Sequence, residues 1–176
     1  VNIGGMANVS LLDGASLIAG FDTGPGNVLL NHWIQRTQQT AFDRDGLFAA
    51  SGQCNTVLLE RFLQDDFFSR RGPKSTGREK FNTTWLDSLL AGREPPADVQ
   101  ATLTELTARS IAHALHDFAP DEVLVCGGGV HNLFLMQRLA ANLPDATVAS
   151  TQAVGWHPDW IEAACASQRT FTADIL

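Results

Sequence analysis

Apolar residues open the chain in short segments, at positions 1–3, 9–12 and 17–21, broken by Gly4-Gly5 and by Asp13-Gly14. Segments of this length between glycine breaks predict strands of an antiparallel sheet, and Asp13-Gly14 predicts a hairpin. The period then changes. Val28, Leu29, Leu30, Trp33 and Ile34 recur at helical spacing, and Val57, Leu58, Phe62 and Leu63 mark a further helix, with Phe67 and Phe68 at its end or in the next packed corner. The clearest helix is predicted over 101–118, with Leu103, Leu106, Ile111, Leu115 and Phe118 along one face, behind Pro95-Pro96 and with Asp98 as its candidate cap. Residues 122–126 form the continuous apolar run of a buried strand. A helix over 133–143, a short strand over 146–149 and a helix beginning near Asp159 complete the pattern.

Composition adds a boundary to this picture rather than a direction. A chain of 176 residues that is 44% hydrophobic can bury a sizeable core in one domain, or in one and a small appendage. Its formal charge of -7 gives no diffuse footprint for nucleic acid, although Arg70, Arg71, Lys74, Arg78 and Lys80 make one basic island. Three cysteines with no CxxC pair and no histidine partner at zinc-ligand spacing fit a reduced compartment. With neither a leader pattern nor a long apolar run, the expectation is a cytoplasmic protein that binds no membrane. The chain begins without an initiator methionine and already inside a strand pattern, so it reads as the second part of something longer.

Candidate chemistry concentrates at two glycine turns and one acid. Asp22 follows an apolar strand pattern, in the turn Gly20-Phe21-Asp22-Thr23-Gly24-Pro25-Gly26-Asn27, where Gly24 and Gly26 permit close backbone approach and Asn27 is a candidate helix cap. Such an acid is a catalytic candidate; the competing reading is an Asp that braces its own turn. Gly4 and Gly5, followed by Met6, Ala7 and Asn8, form either a plain bend or a place where phosphate meets main-chain N–H groups, with Asn8 adding a polar contact. Gly127, Gly128 and Gly129 follow a strand and, with Asn132, open a helix. That is a standard place for nucleotide groups, but the GxGxxG dinucleotide fingerprint fails at Asn132; close helix-on-strand packing is the alternative.

Other positions are weaker. Asp43 and Asp45 are two apart, but the remaining ligands of a calcium loop are missing. His113 and His116 lie at i, i+3 without a third ligand, so no metal site is predicted. The loop 70–79 is not a Walker A motif; it reads as a solvated or salt-bridged connection, or as a contact for an anionic substrate. Glu162 faces water or supplies a second acid to the cleft.

With these residues laid out, the chain resembles the C-terminal part of the anhydro-N-acetylmuramic acid kinases, sugar kinases of the superfamily that includes hexokinases, actin and the heat-shock ATPases. Residues 2–10 (NIGGMANVS) resemble the family's second phosphate loop and residues 20–27 (GFDTGPGN) its catalytic loop. Residues 42–52, 74–79 and 126–132, the Leu135, Met136, Arg138, Leu139 pattern and Ile161-Glu162-Ala163 fall in family order, covering the chain to about Ala166.

The resemblance implies an α/β fold of the ribonuclease H-like (actin-like ATPase) type, a mixed sheet flanked by helices, with residues 1–176 forming the second domain of a two-domain kinase. It implies ATP-dependent phosphorylation of an amino-sugar substrate, 1,6-anhydro-N-acetylmuramic acid, with ring opening by water, as in cell-wall sugar recycling. Asp22 matches the base that activates the water, with Glu162 beside it as a second candidate. Gly4, Gly5 and Asn8 fall on the phosphate side and Gly127, Gly128, Gly129 and Asn132 on the adenosine side, Gly24 of the catalytic loop is a further cofactor contact, and Mg²⁺ bridges phosphate oxygens mostly through water. A homodimer of the full-length protein is compatible with this. Two departures stand out: the family's first phosphate loop lies upstream of Val1, and Ser167-Gln168-Arg169-Thr170-Phe171 is polar where the family carries an apolar run. The isolated chain is therefore expected to be inactive. Another sugar or acetate kinase of the superfamily, or a non-catalytic nucleotide-binding domain, remains the alternative.

Overall fold

A computed structural model describes residues 1–14 and 16–158. Strands β1 (Asn2–Ile3), β2 (Met6–Asp13) and β3 (Ser16–Pro25) form an antiparallel sheet, with Gly14 at φ 56° in the predicted hairpin turn. Strands β4 (Glu122–Val125) and β5 (Thr147–Ser150) pair in parallel. The two sheets meet at β1: Ile3 N–H donates to the Cys126 carbonyl at 2.9 Å and Cys126 N–H to the Val1 carbonyl at 2.8 Å, a parallel bridge. Through it the strands follow one another as β3, β2, β1, β4, β5.

Seven helices are described: α1 (Asn27–Gln38), α2 (Leu47–Ala50), α3 (Thr56–Leu63), α4 (Asp66–Ser69), α5 (Thr83–Leu89), α6 (Pro96–Leu115) and α7 (Leu133–Asn142). The long helix α6 joins two cores. Its first half, through Val99, Leu103 and Leu106, packs with α1, α3, α4 and α5 around the aromatic group Phe62, Phe67, Phe68 and Phe81. Its second half, through Ala108, Ile111 and Leu115, packs with α7 residues Leu135 and Leu139 against Ile3, Val9 and Val125 of the sheet. Burying the same helix on both sides makes the helical layer and the sheet one unit. Glu105, at the junction, is buried and accepts from Arg138 Nε at 2.6 Å and Asn142 Nδ2 at 3.0 Å. Burial opposes its charge, but these bonds and the nearby Arg138 and Arg109 guanidinium groups hold its carboxyl below the usual range.

Several sequence expectations shift. The link between the first two strands is shorter than predicted, since β2 already begins at Met6 and takes in Asn8. Leu17 and Ile18 lie on the far end of β3 and are exposed, and Phe118 sits past the end of α6 in a short 3-10 turn, also exposed. Helix α6 starts five residues earlier than predicted because Pro96 takes the first helical position, where its missing N–H costs nothing. Asp98 does not cap it; its Oδ1 accepts from Gln53 N–H at 2.8 Å across to another segment. Asp43 folds into a half-turn that caps α2, accepting from Phe48 and Ala49 N–H groups at 2.9 Å each. The expected helix near Asp159, with Glu162, lies outside the described residues. Among those described, no helix is long and apolar enough to cross a membrane.

Candidate active site

Asp22 is not on a loop. It lies inside β3, which continues to Pro25 because Met6, Ala7 and Asn8 of β2 still pair with it. A proline is tolerated there, at the last residue of a strand. What sets the acid apart is a bulge: the register passes from Ala7↔Gly24 to Asn8↔Asp22, leaving Thr23 as an extra residue. Thr23 turns inward, fully buried, and its Oγ1 donates to the Ala7 carbonyl at 3.2 Å. Bulges of this kind redirect a neighbouring side chain. Asp22 thus stands directly across the ladder from Asn8, half-buried.

A distant loop then fixes the carboxylate. Residues 74–76 run beside β3, with Asp22 N–H donating to the Lys74 carbonyl at 2.9 Å. Asp22 Oδ2 accepts from Ser75 Oγ at 3.0 Å and from Thr76 N–H at 2.9 Å. Its Oδ1 accepts from no described residue, so one oxygen is anchored and the other is left for chemistry. Lys74 itself is used to hold the loop: Nζ donates to the Phe67 and Arg70 carbonyls at 2.9 and 3.0 Å and sits 4.5 Å from the Phe67 ring centre. Burial, with the Arg70 charge adding, pushes its ammonium below the usual lysine value.

Both glycine turns converge on the start of α1. Gly26, not Asn27, is in the cap position, and it makes no side-chain bond. The first helical N–H groups are taken instead by carbonyls of the Gly4-Gly5 turn: Asn27 N–H donates to Gly4 at 2.8 Å and Val28 N–H to Gly5 at 3.0 Å. This requires backbone to lie on backbone, since a Cβ on Gly26 would come 2.5 Å from the Gly4 oxygen. The N–H groups of Gly4 and Gly5 donate to no carbonyl among the described residues, so they stay open while their carbonyls are spent on the helix.

The second turn divides its work among three glycines. Gly127 has φ 79°, and a Cβ there would lie 2.3 Å from Asn2 Oδ1; on Gly129 it would lie 2.3 Å from Ile3 Cγ2. These two pack the turn on β1. Gly128 differs, with no positive φ and only Asn27 Nδ2, at 3.8 Å, near a built Cβ. Its open side therefore faces the start of α1, beside a buried Asn2 Oδ1 that has no hydrogen-bond partner.

Of the other predicted residues, Gly24 is buried against Phe68 and Ser110 at φ 148°, as part of the bulge. Asn132 caps α7, its Oδ1 accepting from Leu135 N–H at 2.9 Å. Asp22, Asn8, Gly4, Gly5 and Gly128 are thus brought to one end of the sheet, while Gly24, Gly127, Gly129 and the Asn132 oxygen serve the fold. Ser75 and Thr76, which hold the acid, lie 53 and 54 residues away in sequence and carry no local signal of it. A cavity of about 950 Å³ borders α6 and includes Thr23, Lys74 and His113 but not Asp22. No group of three or more His, Cys, Asp or Glu among the described residues is placed to hold a metal.

The fold and this arrangement define a mixed α/β domain that presents an acid and two glycine turns at one end of its strands. Within that class the chain belongs to the anhydro-N-acetylmuramic acid kinase family, whose model matches residues 1–172. The anhydro-N-acetylmuramic acid kinase of Pseudomonas paraeruginosa (strain DSM 24068 / PA7) is 56% identical over 166 residues, covering 92% of this chain and 46% of that protein. That of Pseudomonas syringae pv. syringae (strain B728a) is 50% identical over 167 residues, with 93% and 46% covered. That of Xylella fastidiosa (strain Temecula1 / ATCC 700964) is 49% identical over 166 residues, with 93% and 44% covered. The chain therefore spans a little under half the length of these curated relatives.

Proposed function

We propose that the full-length protein phosphorylates 1,6-anhydro-N-acetylmuramic acid from ATP while water opens the anhydro ring, giving N-acetylmuramic acid 6-phosphate. This chain is read as its second domain, ribonuclease H-like, a reading supported by a sheet that is antiparallel at β1 to β3 and parallel at β4 and β5. Family membership supports the reaction; the observation that carries the role of Asp22 is its half-anchored carboxylate. The oxygen of water bonds to C1 as the C1–O6 bond breaks, O6 takes the γ-phosphoryl group and ADP leaves. Asp22 accepts the water's proton on Oδ1, while Ser75 and Thr76 hold Oδ2 and so the orientation of the carboxylate.

The open N–H groups of Gly4 and Gly5 suit phosphate oxygens, with Asn8 beside Asp22 as a further polar contact, and the open side of Gly128 suits the adenosine. Mg²⁺ supplies charge neutralisation on the phosphates. It would be held mainly through the phosphate oxygens and water, the habit of this cation.

The test is to supply the full-length protein with Mg-ATP and the anhydro sugar and to look for the 6-phosphate. Asp22→Asn keeps an acceptor for Ser75 and Thr76 but removes the base, so turnover should fall by a factor on the order of 10²–10⁴. Full rate in Asp22→Asn would remove the role of base from this residue. Turnover of ATP with a different acceptor sugar would instead mark a related kinase.

A further inference from the structure

The basic island does not act as one patch. Arg71 pairs with Asp117 at 3.0 Å, Lys80 with Asp65 at 2.6 Å, and Lys74 is spent on backbone carbonyls. The guanidinium groups of Arg70 and Arg78 donate to no described residue, but it is Arg78 that lies against the glycine turn. A Cβ built on Gly5 would sit 3.0 Å from Arg78 Nη2, 3.3 Å from Nε and 3.6 Å from Cζ. Gly5 has no positive φ that would demand glycine, so what its missing side chain provides is room for this cation. Glu79, the acid next to Arg78 in sequence, folds over Gly77, where a Cβ would meet its Oε2. Among the described residues the Arg78 guanidinium has no counter-charge.

The same loop touches the acid. Ser75 and Thr76 bond to Asp22, and two residues later Arg78 reaches Gly5, whose carbonyl starts α1. Thr76 Oγ1, between them in the chain, is buried with no hydrogen-bond partner. Among the described residues, two backbone N–H groups that meet no carbonyl, an orphaned hydroxyl and an unpaired guanidinium are therefore linked to the acid through loop 74–78. An arginine fork with free donors suits phosphoryl oxygens better than any other common anion, because its geometry matches them two at a time.

We propose that Arg78 meets the phosphoryl group being transferred, reaching it across Gly5, and that loop 74–78 thereby couples recognition of the terminal phosphate to the placement of Asp22. This rests on the kinase reading above. The terminal phosphate is favoured over the inner ones because the base must act beside the acceptor, and Arg78 shares its loop with the two groups that hold the base.

In the full-length protein, the test compares wild type, Arg78→Gln and Arg78→Lys for kcat and for equilibrium binding of Mg-ATP and Mg-ADP. Arg78→Gln should lower kcat by a factor on the order of 10³, as loss of an arginine on a transferring phosphoryl group does. ATP should bind about 10- to 100-fold more weakly, as expected for a lost charged hydrogen bond, while ADP binding stays within about twofold. Arg78→Lys should recover only part of the rate, since it keeps the charge but not the fork. Equal loss of ATP and ADP affinity, or an unchanged kcat, would overturn the proposal and leave the kinase reading intact. Wild type that binds neither nucleotide would overturn both. If wild type binds ATP but acts on another acceptor, the ATP-to-ADP comparison still decides the role of Arg78.

Discussion

Replacing each glycine of the turn 127–129 by alanine, one at a time, separates packing from ligand access. At Gly129 the new methyl would lie 2.3 Å from Ile3 Cγ2 and 2.5 Å from its Cβ, in the middle of the sheet. Overpacking of this kind costs about 1–3 kcal/mol. Gly127→Ala meets Asn2 Oδ1 at 2.3 Å and must also adopt φ 79° and ψ 175°, a region used almost only by glycine; that strain adds about 1–3 kcal/mol, for about 2–6 kcal/mol in all. Gly128→Ala meets nothing closer than Asn27 Nδ2 at 3.8 Å and needs no positive φ. It should leave stability unchanged or raise it by about 0.4–1 kcal/mol through the unfolded chain. A domain of this size shifts by about 2–4 °C per kcal/mol, so Tm should fall by about 2–12 °C for Gly129→Ala and about 4–24 °C for Gly127→Ala. For Gly128→Ala it should hold or rise slightly. If adenosine lies on the open side of Gly128, the same mutant should raise the ATP KM several-fold and leave the sugar KM alone. Calorimetry and steady-state kinetics on the full-length mutants measure both. An unchanged ATP KM in a stable Gly128→Ala protein would refute the nucleotide role of this turn, and a Tm loss larger than that of Gly129→Ala would refute the packing argument.

Glu105→Gln should destabilise the protein by about 1–3 kcal/mol at neutral pH, the scale of hydrogen bonds to a charged group. Because burial and the opposing bonds leave the folded carboxyl below its ordinary value of 4.5, its contribution is present above that pH and disappears as pH falls through the folded value. The Tm gap between mutant and wild type should therefore close in acid; a constant gap from pH 7 to 3 would show that the charge is not what stabilises. Residues 1–176 alone should bind Mg-ATP weakly and phosphorylate nothing, and micromolar binding in a calorimetric titration would show that this half suffices for the nucleotide.

How much of this was legible in the sequence depends on how far apart the contacting residues are. Period and breakers predicted the hairpin at Asp13-Gly14, the helix after Asn27 and the strand before Cys126, because each is set by neighbours within a few positions. The ends moved where a distant segment competed. Asn27 is a good cap by type, yet Gly4 and Gly5, more than twenty residues away, accept from the N–H groups of Asn27 and Val28, and the Asn27 side-chain amide donates to the Ile3 carbonyl at 3.1 Å instead of capping. Asp98 likewise gave its carboxylate to Gln53 rather than to its own helix. Phe118 fits the helical stripe, but the chain has left α6 before reaching it.

The site follows the same rule with a different consequence. Asp22, Asn8 and the two glycine turns could be picked out because each combines residue types that short-range structure alone explains poorly. The bulge at Thr23 could not be picked out, since it is a mismatch between two strands and exists only once both are paired. Nor could the clamp on Asp22, where a loop that reads as a solvated basic connection supplies a hydroxyl and an N–H from across the fold. The basic residues in that loop are chemically alike in sequence but not in place: Arg71, Lys74 and Lys80 are neutralised or tied down by Asp117, by carbonyls and by Asp65. Arg78 is paired with no described acid and lies against Gly5. A glycine conventionally explained by backbone freedom is better explained here by the cation lying on it. By that logic Gly5→Ala should push Arg78 aside and reproduce, more weakly, the loss of ATP-over-ADP preference expected of Arg78→Gln.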